Sequence, residues 1–167
     1  CSHDAAPINL INPYQPLSTK QNEQLIVKLN DKALEAINAD AISAFPNECC
    51  GFLYGTETGD VREITLAVPV TNSKEGDQRR RFEISPLDYL RAEQFALQND
   101  TALLGVYHSH PNHPAIASEH DLAVAMPYFS YVIVSVREGE VADHKSWRLR
   151  DEVRAFLEET VIVNVEV

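Results

Sequence analysis

Apolar and polar positions recur at two different periods along this chain, and the switches between them mark its elements. "QLIVKL" (24–29) alternates with the two-residue period of a short strand. Asn30 or Asp31 then caps "KALEAINADAISAF", where Ala33, Leu34, Ile37, Ala41, Ile42 and Phe45 recur at helical spacing until Pro46 stops them. "ECCGFLYG" (48–55) reads as a buried strand closed by glycine, and "VREITLAVPV" (61–70) as a second strand of the same group. After a polar excursion, "TNSKEGDQRR", the chain returns to strand in "RFEI" (81–84). "SPLDYLRAEQFALQ" (85–98) opens with Ser85 at N-cap, Pro86 at N1 and Asp88 at N3, which is a strong helix start. "ALLGVYHSH" (102–110) is a strand running into histidines, "SEHDLAVAM" starts a short helix, "FSYVIVSV" is a core strand and "HKSWRLR" another. The tail, "TVIVNVEV" (160–167), fits an edge strand. Strands and helices interleave, so an α/β or α+β sandwich around one mixed sheet is expected. Residues 1–23 hold three prolines and no sustained period; they read as an extended arm, leaving 24–167 as the domain.

Composition narrows the function more than the fold. A net charge of −11 argues against a nucleic-acid binder, which needs a basic face. The longest apolar runs, such as "YVIVSV" (131–136), are strand-sized, so no membrane span is expected. Cys49 and Cys50 are adjacent and Cys1 is terminal, which gives no disulfide framework and favours a reducing compartment. A chain that opens Cys-Ser can be the mature end of a lipoprotein or a truncation boundary, and the boundary is the preferred reading.

Four of the six histidines lie within "VYHSHPNHPAIASEHD" (106–121). His108 and His110, at i and i+2 on a strand, project to one face and can share one ion. Asp121, in the first turn of the next helix, can swing a carboxylate back toward them. Two nitrogens and a carboxylate suit Zn²⁺, with a fourth position open for water as in catalytic sites. A blander reading also fits, since Ser118 and Asp121 have the S-x-x-D spacing of a capping box. The strand–loop–helix setting, taken jointly, favours the site. His113 and His120 read as loop or surface residues. Glu48, at the mouth of an apolar strand, is the candidate base, because burial there raises a carboxylate pKa toward the useful range. It reads equally well as a polar residue ending a loop. Cys49 and Cys50 read as small apolar strand residues.

The pattern H-x-H, seven residues, S-x-x-D, with an upstream glutamate in "PNECCGFLYG", resembles the JAMM (MPN+) family of zinc metallopeptidases. The likeness runs from about Leu25 to Val136, including "RFEISPLDYL" and "YFSYVIVSV", and is to the small bacterial branch. It implies a cytidine-deaminase-like α-β-α sandwich with one zinc at the sheet edge. It implies His108, His110 and Asp121 as ligands, Glu48 as general acid/base and Ser118 as a donor to the oxyanion. Deaminase chemistry itself is not expected, since H-x-E followed by P-C-x-x-C is missing.

The resemblance further implies cleavage after the C-terminal Gly-Gly of a ubiquitin-like or sulfur-carrier protein, held by strand addition. Only "LAVAMPY" separates Asp121 from the next strand, so the insertion with which eukaryotic deubiquitinases hold ubiquitin is absent. Sulfur-carrier processing in the cytoplasm, a setting that the resemblance alone implies, is therefore the leading expectation, with isopeptide cleavage in a bacterial conjugation or defence system as the alternative. A non-catalytic scaffold is the reading from another class. Arg79, Arg80 and Arg81 could hold acidic groups of a carrier, although a solvated loop is the simpler account.

Overall fold

The computed structural model describes residues 24–150 and 152–163. The expected arm over 1–23 and the end of the tail lie outside those residues. In chain order the elements are β1 (Ile26–Leu29), α1 (Asp31–Ala44), β2 (Cys50–Thr58), β3 (Val61–Val70), α2 (Pro86–Gln98), β4 (Ala102–Pro111), α3 (Glu119–Val124), β5 (Ser130–Arg137), β6 (Glu140–Arg150) and β7 (Ala155–Val163).

Local chemistry starts the helices where the sequence places them. The Asn30 side chain accepts the Ala33 N–H at 2.8 Å, and Ser85 accepts the Asp88 N–H at 3.2 Å ahead of Pro86. Each cap satisfies a donor that the first turn leaves without a partner. In α1, Ala33, Ile37 and Ala41 recur every four residues and are fully buried. The helix stops at Phe45, whose extended backbone precedes Pro46.

The strands form one mixed sheet. β3–β2–β4 pair antiparallel, β4 and β5 pair parallel, and β5–β6–β7 continue antiparallel. Residues alternate between two cores. Leu53, Tyr107, Val132, Val134 and Val136 pack with α1, while Phe52, Tyr54, Val106 and Tyr131 pack with α2. Central strands buried on both faces account for the near-continuous apolar runs of β2, β4 and β5. Two glycines permit close approach. A Cβ on Gly105 would strike the Ser130 carbonyl of the neighbouring strand, and one on Gly51 would strike the Tyr107 ring that crosses it. That ring reaches α1, where Tyr107 Oη donates to Asp40 at 2.8 Å.

Two expectations need correction. "RFEI" is not a strand: residues 81–84 make no ladder, although Phe82 and Ile84 are buried in the α2-side core. Their alternation reflects a loop pinned against the core. The tail is not an edge either, because β7 pairs with β6 on one side and, through Thr160–Val163, with β1 on the other. Since β1 also pairs with β3, the sheet curls closed through this seam. A mixed sheet with a helix on either face is as expected; the closure is additional.

Candidate metal centre

The register of β2 against β4 assembles the site. Cys50 is paired with His108, so Glu48, two residues earlier, stands opposite the end of β4 where His110 lies. His108 and His110 project to the same side, with Nε2 atoms 3.2 Å apart. Asp121 comes from the first turn of α3 and spans both rings, with Oδ1 3.4 Å from His108 Nε2 and Oδ2 3.3 Å from His110 Nε2. Glu48 joins them, its carboxylate lying within 4.8 Å of both imidazole nitrogens.

Ser118 and Asp121 do form the capping box. The Ser118 hydroxyl accepts the Asp121 N–H at 3.1 Å, and Asp121 Oδ2 accepts the Ser118 N–H at 2.8 Å. The structural and the chemical readings of this pair therefore coexist. The cap fixes the carboxylate's orientation and aims it at the imidazoles. Glu48, His110, Ser118 and Asp121 line a cleft of about 520 Å³, and His108 lies wholly buried beside them. All five residues singled out from the sequence are thus brought together, while His113 is exposed at the cleft rim and His120 is half-buried on another face of α3.

Burial and mutual contact set the charges. Burial raises the Glu48 carboxyl to about 8, against the opposing charge of His110. Burial would also raise Asp121, but the hydrogen bond and charge of His108, then the hydrogen bond from His110, outweigh it and hold the acid well below the usual range. His108 is lowered by burial despite Asp121. For His110 burial again acts downward, but Asp121 and the Pro114 carbonyl prevail and raise it. Burial pushes both Cys49 and Cys50 up to about 12, which keeps them neutral thiols; Cys50 opens β2, while Cys49 and Glu48, expected in the same strand, lie just before it.

The spacing can be tested against a metal. Donors about 2.0–2.1 Å from an ion at the corners of a tetrahedron are about 3.3 Å from one another. The 3.2 Å between the two Nε2 atoms matches that edge, and Asp121 lies beside both rings, with Oδ1 3.4 Å from His108 and Oδ2 3.3 Å from His110. Two imidazole nitrogens facing one another with a carboxylate beside both form a donor set that one shared cation would satisfy. The residues fit Zn²⁺.

Several supporting residues escaped the sequence reading. The Pro114 carbonyl lies 2.8 Å from His110 Nδ1, fixing that ring. Phe82 stacks on the His108 ring at 4.5 Å, while His108 Nδ1 is buried without a hydrogen-bond partner among the described residues. Asn72 holds the loop behind the site: its Nδ2 donates to the carbonyls of Glu48 and Arg81, and its Oδ1 accepts from Lys74 and Glu83 N–H. The Glu48 N–H donates to the Gln78 carbonyl at 2.7 Å. An asparagine opening a polar stretch after a strand is a turn signal, but nothing in "TNSKEG" says which backbone groups it serves.

Comparison with known proteins points the same way. The family described as prokaryotic homologs of the JAB domain matches residues 30–150. A Mycobacterium tuberculosis protein named CysO-cysteine peptidase is 30% identical over 119 residues, covering 71% of this chain and 79% of its own. A Haloferax volcanii protein named desampylase is 28% identical over 128 residues, covering 76% and 89%. The solution structure of a Desulfitobacterium hafniense protein superposes with a TM-score of 0.73 at 31% identity, over 84% of this chain and 94% of that one.

Proposed function

Because the chain belongs to the family of prokaryotic JAB-domain homologs, we propose that it is a zinc-dependent peptidase or isopeptidase acting after the C-terminal Gly-Gly of a ubiquitin-like or sulfur-carrier protein. One observation carries this reading: two imidazole nitrogens 3.2 Å apart and a capped carboxylate stand beside a second carboxyl, whose buried Oε2 has no hydrogen-bond partner among the described residues. The names of the relatives, a CysO-cysteine peptidase and a desampylase, support the substrate class.

His108 Nε2, His110 Nε2 and Asp121 would hold the ion. When bound, zinc supplies Lewis acidity, which makes a water more acidic and a carbonyl more electrophilic. The remaining work falls to the chain. Glu48 Oε2 is buried and has no hydrogen-bond partner among the described residues, so it is free to receive a proton from the attacking water. As the water oxygen bonds to the scissile carbonyl carbon and the C–N bond breaks, Glu48 Oε2 passes that proton to the leaving amine. The Ser118 hydroxyl spends a lone pair on the Asp121 N–H, which leaves its proton for the carbonyl oxygen as that oxygen gains charge. The setting we propose is cytoplasmic, in keeping with two buried free thiols; among the described residues no helix is long and apolar enough to cross a membrane.

The test is to incubate the zinc-loaded protein with carrier fusions ending Gly-Gly-X and with isopeptide-linked dimers, reading products by mass. Cleavage after the second glycine is expected, abolished by chelation. Glu48→Gln should keep the metal and slow cleavage by about 10²–10⁴-fold. Normal turnover by that variant, or no cut after Gly-Gly in any substrate, overturns the reading.

A further inference from the structure

The mechanism leaves one wall of the cleft without a task. The same cleft is also lined by Arg79, Arg80 and Arg81, three consecutive cations on a chain of net charge −11. Their existing partners are few. Arg80 faces Asp77 at 3.9 Å with both side chains mostly exposed, a weak pair. Arg81 Nη1 donates only to its neighbour's carbonyl, at 2.9 Å, and the Arg79 guanidinium has no hydrogen bond or ion pair among the described residues. Asp121, meanwhile, is engaged by the imidazoles, so the arginines present the cleft's uncommitted charge.

A Gly-Gly tail offers these arginines no charge, only backbone carbonyls. The scissile bond has a second side. If the departing group is a single amino acid at the end of the chain, its α-carboxylate sits two bonds beyond the scissile nitrogen. If the departing group is a lysine inside a folded protein, or the start of a longer chain, no anion occupies that place. The charge of Arg81 reaches Glu48, which is the group that must meet the same nitrogen. A planar guanidinium is suited to a carboxylate, which it can hold through two parallel hydrogen bonds.

We propose that Arg79 and Arg81 form a subsite for the free α-carboxylate of the departing residue, making this a peptidase that prefers to remove one terminal amino acid from its carrier. The inference rests on the peptidase reading and deepens it. The segment that carries the arginines is held to the site by Asn72, which binds the carbonyls of both Glu48 and Arg81, so the anion subsite and the proton carrier share one anchor.

The test uses pairs of substrates that differ only at the last group: a carrier fusion ending Gly-Gly-Ala with a free acid, the same fusion as the C-terminal amide, and an isopeptide-linked form. Rates are read by mass on the zinc-loaded protein, and binding of the acid and amide to the Glu48→Gln chain is read by calorimetry. The acid should be favoured about tenfold, mainly in KM, and Arg79→Ala with Arg81→Ala should remove most of that preference. Arg→Lys at both positions should recover only part of it. Equal treatment of acid and amide overturns the carboxylate subsite and leaves the peptidase reading standing. Preferential binding of the acid with no cleavage of any carrier substrate supports the subsite and overturns the peptidase reading. No cleavage and no preferential binding overturns both.

Discussion

The two walls of the cleft are built on opposite physical terms. On one side His108, Glu48 and Asp121 are at most 7% exposed, each fixed by a strand register or a helix cap. On the other, Arg79, Arg80 and Arg81 are exposed and held mainly through their backbone by Asn72 and Asp77. Buried, mutually constrained donors favour one geometry and strongly shift their own proton affinities. Exposed cations on a pinned loop supply charge at little cost in stability and can adapt to a ligand. The first wall suits chemistry, which is unforgiving of displacement. The second suits selection among substrates.

The largest effect should come from uncoupling Asp121 from its metal role while leaving its cap. In Asp121→Asn the amide oxygen can still accept the Ser118 N–H, so α3 should persist, with a stability loss of no more than about 1 kcal/mol in the metal-free chain. Zinc should fall from one per chain to near none by elemental analysis, and cleavage with it. Retained metal would show that the carboxylate is there only to start the helix. Ser118→Ala should come next. It removes the hydroxyl that caps α3 and the donor offered to the carbonyl oxygen, predicting a loss in turnover of about 10²–10³-fold and of about 1 kcal/mol in stability. Ser118→Thr should restore both. An alanine variant that loses stability but not rate would assign Ser118 to the cap alone. The arginine wall stands below these: its variants should alter substrate preference about tenfold and leave the melting temperature unchanged.

Why the first wall was more legible in the sequence than the second follows from the same contrast. The i, i+2 histidines and the S-x-x-D spacing are local, and a strand or a first helical turn fixes what such spacings do. Glu48 was readable because an apolar strand follows it at once. Ser85-Pro86 and the four-residue repeat in α1 likewise carried their meaning within a few positions. What failed was non-local or backbone-directed. "RFEI" alternates like a strand, yet its alternation comes from Phe82 stacking on His108 while Asn72 and Ser73 capture the backbone that a ladder would have used. The β1–β7 seam joins Ile26 to Thr160, a pairing that no local period announces. Three arginines in a row offered two readings, a grip on acidic groups of a carrier and a solvated loop, and the sequence did not say which cleft they line.

The smallest predicted effect compares the two carboxyls of the first wall, which burial treats alike and partners do not. Asp121 is held ionised by the imidazoles, whereas burial lifts Glu48 to about 8 in the metal-free chain. Below the ordinary value of 4.5 for Glu48, both folded and unfolded chains carry its proton and it adds no pH dependence. Between 4.5 and about 8 the unfolded chain gives the proton up while the folded one keeps it, so stability falls as pH rises. Above about 8 the penalty is constant. Glu48→Gln has no such proton to exchange. The gap in melting temperature between the metal-free variant and the metal-free parent should therefore widen in the variant's favour across that window and then level off. His108, lowered by burial, acts in the other direction, losing stability as pH falls through its ordinary 6.5, and is present in both chains; His110, raised in part by the Glu48 charge, does not cancel in full, so the gap also carries that coupling. A gap that stays flat from pH 4.5 to 8 would mean that Glu48 is already ionised in the folded chain. Its proton affinity would then be set by its charged neighbours rather than by burial, and the contrast drawn between the two carboxyls would fail.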